Sequence, residues 1–201
     1  MELRKIKMNY YEENAQTYYN KTKDADMTDS CNRFAKYIRP AGRILDIGCG
    51  SGRDMKYFKS LGFSPEGLEP SKGLWELAEK NTGLPVHCIT LQAYRPSAPY
   101  DGIWACASLL HLTEEEILEF FKRSCEFTAP GGYIYFSGKN GIETGVSEDG
   151  RFFLEFTDEL IEKILRENEN LELVEKWYSE DVTGRKDFRW MNVILKNVME
   201  I

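Results

Sequence analysis

Short apolar runs alternate with amphipathic stretches through the middle of the chain, from Arg43 to Ser137. Apolar runs of roughly four to eight residues predict β-strands, and apolar residues spaced three and four apart predict helices. The predicted strands are Arg43–Ile47, Ser64–Leu68, Val86–Thr90, Tyr100–Ala107 and Tyr133–Ser137, and the predicted helices are Ser51–Ser60, Lys72–Asn81 and Glu114–Thr128. This alternation is typical of a parallel sheet with right-handed crossovers and helices on both faces.

The two ends of the chain predict a helical cap and a hairpin at the edge of the sheet. Helical patterns at Tyr10–Lys21 and Asp29–Tyr37 place the cap within residues 1–40, and a helix at Asp158–Asn168 precedes two last strands, Leu171–Ser179 and Phe188–Lys196. The polar loop between these strands is too short for a crossover helix, so they should pair antiparallel. We therefore predict a single α/β domain over residues 1–201, with a doubly wound, mostly parallel seven-stranded sheet and an antiparallel edge hairpin.

Composition and charge restrict the class of protein. The 201 residues carry a net charge of −7, five scattered cysteines without a CxxC pair, and only two histidines. These counts argue against a disulfide framework and predict reduced, buried thiols and no bound metal. No apolar run reaches the roughly 18 residues of a membrane span. We expect a cytoplasmic monomer or homodimer that contacts no membrane, and the negative charge disfavours nucleic acid as a partner.

Candidate chemistry begins at the glycine-rich turn after the first predicted strand. A lone glycine loop is a weak signal, but this one lies between a strand and a helix, where parallel sheets bind ligands. Asp46, two residues before Gly48, is poorly placed for a pyrophosphate and well placed for an ammonium group. Glu69 ends the second strand, where an acid can bind both ribose hydroxyls. S-adenosylmethionine carries both groups and no phosphate.

Four motifs carry a resemblance to a known family. They are ILDIGCGSG (Ile44 to Gly52), GLEPS (Gly67 to Ser71), YDGIWACASLLHL (Tyr100 to Leu112) and PGGYIYFSGK (Pro130 to Lys139). With them the chain resembles the class I S-adenosylmethionine-dependent methyltransferases over about residues 10–196. The segments WACASLLHL, GRFFLEFTDEL and SEDV…RWMNVIL are more narrowly similar to small bacterial methyltransferases labelled tellurite-resistance-related or uncharacterised. The resemblance implies a Rossmann-like methyltransferase fold.

The resemblance also implies a cofactor pocket for S-adenosylmethionine. Its expected residues are Asp46, Gly48, Cys49, Gly50, Glu69, Pro70, Ser71, Gln92, Ala93, Ala107, Ser108 and Leu109. Many relatives hold the adenine amino group with an aspartate at the end of the third strand, where this chain has Leu91, Gln92 and Ala93. The adenine contact is therefore assigned either to the Gln92 amide or to the backbone.

The acceptor should approach from the loops beyond the fourth strand, beneath the N-terminal cap. His111 follows that strand and is the candidate general base, the alternative being a hydrogen-bonded packing residue. The tyrosines of the cap suggest a lid over the acceptor or, equally, the packing face of a helix. Arginines in two late loops suggest a grip on a carboxylate or phosphate, or loop salt bridges. The candidate substrate-binding residues are Tyr11, Tyr18, Tyr19, Arg151, Arg185 and Arg189.

These observations favour methyl transfer to a small-molecule acceptor that bears an anionic group. One alternative is a tRNA-modifying methyltransferase of the wobble-uridine type, which the acidic charge and the lack of a basic stripe oppose. Another is a non-catalytic regulator that binds S-adenosylmethionine, which no sequence feature excludes. An NAD-dependent oxidoreductase is opposed by Asp46 and by the GxGxG spacing.

Overall fold

A seven-stranded sheet runs through the centre of the protein in the computed structural model, which describes residues 10–199. In chain order its strands are β1 (Arg43–Ile47), β2 (Ser64–Leu68), β3 (Val86–His87), β4 (Tyr100–Ala105), β5 (Thr128–Asn140), β8 (Leu171–Ser179) and β9 (Arg189–Asn197). A separate two-stranded ribbon pairs β6 (Gly145–Val146) with β7 (Phe152–Phe153). The part of the predicted cap at residues 1–9 lies outside the described residues.

Helices flank this sheet, and some of them begin at a residue whose side chain caps the helix. They are α1 (Ala15–Thr22), α2 (Thr28–Ala35), α3 (Arg53–Ser60), α4 (Lys72–Thr82), α5 (Glu114–Lys122), α6 (Ser124–Phe127) and α7 (Asp158–Glu167), with a 3₁₀ turn at Leu109–His111. Residues 10–13 are also helical. Thr113 and Glu116 form a capping box at the start of α5, and the Thr157 hydroxyl accepts from the first turn of α7.

The strand order is β3-β2-β1-β4-β5-β9-β8, and β9 runs opposite to the other six strands of this sheet. The predicted doubly wound sheet with an antiparallel edge hairpin is confirmed. The order of the parallel strands reverses between β1 and β4, so their carboxyl ends open a crevice where ligands bind in such sheets.

Successive side chains along the central strands point to opposite faces of the sheet and pack into two different hydrophobic cores. Ile103 packs under α5 and α7, whereas its neighbour Trp104 packs on the opposite face with Phe34 of α2 and Phe58 of α3. Trp104 is stacked on Tyr135 of β5 with the ring centroids 3.8 Å apart. Phe34 of α2 is buried in this second core, while the first residues of α2 and the segment before it border the crevice.

Three predicted boundaries were wrong. The helix expected at Glu114–Thr128 breaks at Arg123, and Thr128 already belongs to β5. The strand expected at Tyr133–Ser137 begins earlier, at Thr128, and contains a bulge, because the register with β4 advances by two residues on β4 and by five on β5. The third strand stops at His87, since the chain then folds into a turn in which the Tyr94 N–H donates to the Thr90 carbonyl. Of the five thiols expected to be buried, only Cys31 and Cys49 are.

Candidate active site

Glycine is required in the loop that follows β1. The N–H groups of Gly48 and Cys49 both donate to the Leu68 carbonyl, at 2.8 and 3.0 Å, which ties the loop to the end of β2. Gly48 and Gly50 have φ values of 69° and 55°, a region that favours glycine. A Cβ on Gly48 would lie 2.7 Å from the Cβ of Ser108. The loop therefore presents bare backbone to the crevice.

Glu69 closes the other side of this loop. It is 5% exposed, and its carboxylate accepts hydrogen bonds from the N–H of Gly50 at 3.0 Å and of Ser71 at 2.9 Å. Burial raises the pKa of the Glu69 carboxyl to about 7, against the opposing effect of the two backbone donors. Glu69 is thus held at the end of β2 with acceptor capacity left over for further donors.

Two cavities meet above the carboxyl edge of the sheet. The smaller, of about 200 Å³, lies over the ends of β1, β2 and β3, and the larger, of about 850 Å³, extends from the glycine loop to the turn between β8 and β9. Residues that line both cavities are Tyr11, Tyr18, Gly48, Gly50, Ala107 and His111. Ala107 has a φ of 53°, which is strained for a residue with a Cβ, at the point where the two cavities join.

Asp46 lies at the wall of the larger cavity and is 3% exposed. Burial, followed by the charge of Asp54, raises the pKa of the Asp46 carboxyl well above its usual range. Within residues 10–199, its carboxylate accepts no hydrogen bond. A buried acid without a donor is costly unless a ligand supplies a positive charge or a hydrogen bond.

The described residues fit S-adenosylmethionine. Asp46 offers an acceptor to its ammonium group, and Glu69 offers one to its ribose hydroxyls. The smaller cavity is walled by the apolar side chains of Leu74, Ile89, Leu91 and Leu109, as an adenine ring requires. Gln92 lines this cavity, and the buried Ser108 hydroxyl has no partner within residues 10–199. These two side chains remain available for the adenine edge.

Sequence reasoning missed an ion pair beside the glycine loop. Arg53 donates to both Asp54 oxygens at 2.7 and 3.0 Å, and the Trp104 indole N–H donates to the same carboxylate at 2.9 Å. Arg53 and Asp54 line the larger cavity, where the guanidinium lies 4.0 Å from the Cys106 thiol. The position of Arg53 directly after Gly52 was the available signal, because a charge that opens this helix faces the ligand crevice.

His111 contacts the N-terminal segment. Its Nε2 lies 2.7 Å from the Tyr11 hydroxyl, and its Nδ1 lies 2.9 Å from the Phe152 carbonyl oxygen. The Tyr11 ring packs edge-on against Tyr18, with centroids 5.1 Å apart, and Tyr18 in turn reaches the glycine loop at Gly50. The candidate base and two of the candidate substrate residues therefore form one aromatic cluster at the junction of the cavities.

The far wall of the larger cavity carries the cations Lys139, Arg151 and Arg185 together with the carboxylate of Asp181. Arg151 and Arg185 each form a loop salt bridge, the alternative that the sequence left open, with Asp149 at 2.6 Å and with Asp181 at 2.7 Å. Lys139, which sequence reasoning missed, lies between them at the end of β5. Its place in an apolar strand gave little sign of this role.

Three candidate residues lie outside both cavities. Tyr19 is one helical residue beyond Tyr18 and therefore points about 100° away from it. Ala93 is exposed on the turn after β3. Arg189 is exposed at the start of β9, with its guanidinium 4.5 Å over the Tyr178 ring. The other cofactor candidates line one cavity or both.

A family model described as a methyltransferase domain matches residues 19–186. The chain belongs to this methyltransferase domain family. The enzyme class and the family resemblance inferred from the sequence are confirmed.

Individual relatives share part of their length with this methyltransferase domain. It is 32% identical over 116 residues to alpha N-terminal protein methyltransferase 1 of Arabidopsis thaliana, covering 49% of this chain and 41% of the relative. It is 30% identical over 104 residues to the probable S-adenosyl-L-methionine-dependent methyltransferase TehB of Haemophilus influenzae, covering 49% and 36%. The chain thus spans less than half the length of these relatives.

A solved structure supports the fold. The 1,6-didemethyltoxoflavin-N1-methyltransferase of Burkholderia thailandensis, with bound 1,6-didemethyltoxoflavin and S-adenosylhomocysteine, superposes with a TM-score of 0.73 at 16% identity, covering 95% of this chain and 88% of that one. With the family match, it confirms the predicted Rossmann-like methyltransferase fold and S-adenosylmethionine as the cofactor. Within residues 10–199, no helix has the length and apolar character needed to cross a bilayer.

Proposed function

We propose that this methyltransferase domain transfers the methyl group of S-adenosylmethionine to a small molecule that carries a carboxylate or phosphate. The observation that supports this acceptor is the ammonium group of Lys139 at the wall of the larger cavity. Within residues 10–199, no carboxylate lies within ion-pair distance of it. Its Nζ instead lies 3.8 Å from the centroid of the Phe153 ring and 4.7 Å from that of Phe188.

The electrostatics around Lys139 favour an anionic ligand. Burial, followed by the charges of Arg185 and Arg151, lowers the pKa of the Lys139 ammonium. An anion bound among the three cations would remove this repulsion and accept charge-assisted hydrogen bonds. The two aromatic rings beside Lys139 would pack against the apolar part of the same acceptor.

The methyl donor supplies an activated carbon on a sulfonium, so the protein's task is alignment and the exclusion of water. Alignment alone contributes on the order of 7–11 kcal/mol. The N-terminal segment covers the junction of the cavities through Tyr11 and Tyr18. It is held over the cofactor side by Glu12, which accepts from the Ser71 hydroxyl at 2.9 Å and from the Gly73 N–H at 3.3 Å.

The acceptor class is tested by replacing Lys139. With isotopically labelled S-adenosylmethionine, kcat/KM for para-hydroxybenzoate is compared with that for the uncharged para-cresol. Lys139→Gln should lower the preference for the benzoate by about tenfold or more, because a charge-assisted hydrogen bond contributes roughly 1.5–3 kcal/mol. Lys163→Gln is the matched control, since Lys163 pairs with Glu114 outside both cavities.

A preference for para-cresol in the wild type would contradict an anionic acceptor. Labelling of proteins alone, when cell extract replaces the small probes, would contradict a small-molecule acceptor. The affinity for S-adenosylhomocysteine should be the same in Lys139→Gln and the wild type, because Lys139 does not line the smaller cavity.

A further inference from the structure

The hydrogen bonds of His111 determine which ring nitrogen carries the proton. The Phe152 carbonyl can only accept, so His111 Nδ1, 2.9 Å away, must carry a hydrogen. In the neutral ring, Nε2 is therefore the unprotonated nitrogen, and the Tyr11 hydroxyl at 2.7 Å donates to it. The hydrogen bond to the β7 backbone thus leaves the basic lone pair on His111 Nε2, and this lone pair points at Tyr11 rather than directly at the cavity.

Tyr11 contacts His111 at the junction of the two cavities. Both residues line the larger and the smaller cavity, which places them where the cofactor and acceptor sides meet. Burial, followed by Tyr18, raises the pKa of the Tyr11 phenol, so the hydroxyl stays protonated at neutral pH. Tyr11 therefore does not act as a phenolate base. It can accept a proton from the acceptor only if its phenolic proton passes to another group.

The groups around Tyr11 fix its position. Arg151 packs beside Tyr11: its guanidinium carbon lies 4.4 Å from the centroid of the Tyr10 ring and 6.0 Å from that of the Tyr11 ring. Asp149 holds this guanidinium through two donor nitrogens, at 3.1 and 2.6 Å. With its one hydrogen donated to His111, the Tyr11 oxygen retains lone pairs for an acceptor's hydrogen.

We propose that Tyr11 and His111 form a proton relay that deprotonates the acceptor during methyl transfer, an inference that rests on the proposed function. The acceptor's lone pair forms the bond to the methyl carbon while the carbon–sulfur bond breaks and its electron pair stays on sulfur. The acceptor's proton passes to the Tyr11 oxygen, and the phenolic proton passes to His111 Nε2. One positive charge thereby moves from the sulfonium to the imidazolium, and His111 returns its proton to solvent after the product leaves.

The relay assigns this site to acceptors that must lose a proton. A hydroxyl requires a base because its pKa lies well above neutral, whereas a thiol that is already ionised does not. A relay is therefore distinguishable from a purely structural contact, which would affect both kinds of acceptor alike. Para-hydroxybenzoate and para-mercaptobenzoate make a matched pair, since they differ in one atom and both carry the carboxylate of the proposed acceptor.

The kinetic test uses Tyr11→Phe and His111→Gln at about pH 8. Each variant should lower kcat for para-hydroxybenzoate about 100-fold, which is the lower end of general acid–base contributions, and lower kcat for para-mercaptobenzoate less than about fivefold. The double variant should lose no more than either single variant, because the two residues act as one unit. Tyr19→Phe, on the same segment but outside both cavities, is the control. Equal losses on the two benzoates would overturn the relay.

A second measurement needs no turnover. Histidine ¹⁵N resonances of the wild type saturated with S-adenosylhomocysteine should show His111 as the Nδ1–H tautomer, with an Nε2 signal that shifts in Tyr11→Phe. His87, which lines neither cavity, is the internal reference. An Nε2–H tautomer would overturn the relay. If the wild type methylates neither benzoate, the proposed acceptor class fails, and the tautomer still decides the relay.

Discussion

Asp46→Asn should weaken the binding of S-adenosylhomocysteine by about 150-fold or more, since breaking a buried charge pair costs about 3–5 kcal/mol. The carboxylate is buried and accepts no hydrogen bond within residues 10–199, so the ligand ammonium is the partner it lacks. The asparagine keeps the size and loses the charge. Titration calorimetry of the two proteins at equal pH measures the difference.

The same variant should not lose stability. The pKa of the Asp46 carboxyl is raised in the folded protein, so its favourable contribution to folding is present at low pH and disappears as the pH rises through the folded pKa. Asp46→Asn should therefore unfold at a temperature at least as high as the wild type above neutral pH. Asp101→Asn is the control, because Asp101 anchors Arg39 at the opposite end of β4. Weakened binding in that control, or normal binding in Asp46→Asn, would remove Asp46 from the cofactor site.

Glu69→Gln should weaken the binding of S-adenosylhomocysteine by about 30-fold at pH 8, since hydrogen bonds to a charged acceptor contribute roughly 1.5–3 kcal/mol each. The pKa of the Glu69 carboxyl is about 7, so its ionised form is lost as the pH falls from 8 to 6. Wild-type affinity should fall by about tenfold over that range, because the Glu69 carboxyl of the free protein binds one proton that must leave before the ligand binds.

The variant isolates this titration. Between pH 8 and pH 6, the slope of log affinity against pH should be shallower in Glu69→Gln by about 0.5 on average, which is the tenfold difference over two pH units, whatever else titrates. Glu66→Gln is the control on the same strand, because Glu66 lines neither cavity. Parallel slopes in the wild type and Glu69→Gln would show that the carboxylate does not bind the ribose.

The residues proposed for the cofactor half of the site could be chosen from the sequence because they are local. Asp46, Gly48 and Gly50 lie within five residues of each other, and Glu69 ends the next strand, so strand order alone brings them together. The apolar runs also predicted the sheet and its edge hairpin. Local patterns do not predict the exact end of a helix or strand. The strand predicted at Val86–Thr90 ends at His87, because β3 is an edge strand with one neighbour and the residues after it turn away.

The acceptor half depends on contacts between distant segments. Tyr11 and His111 are separated by 100 residues, and the carbonyl that fixes the histidine belongs to Phe152 in a ribbon of two-residue strands, too short to produce a periodic pattern. Lys139 sits where an apolar strand ends, and its role follows only from the cations that β7 and the β8–β9 turn bring beside it. Such a site is visible only after the chain has folded.

The central claim is that the glycine loop, Asp46 and Glu69 together form a site for S-adenosylmethionine. Calorimetric titration of the purified protein with S-adenosylhomocysteine and, separately, with NAD tests this most directly. We predict micromolar binding of S-adenosylhomocysteine and no heat above dilution with NAD. Binding of NAD without binding of S-adenosylhomocysteine would contradict the account.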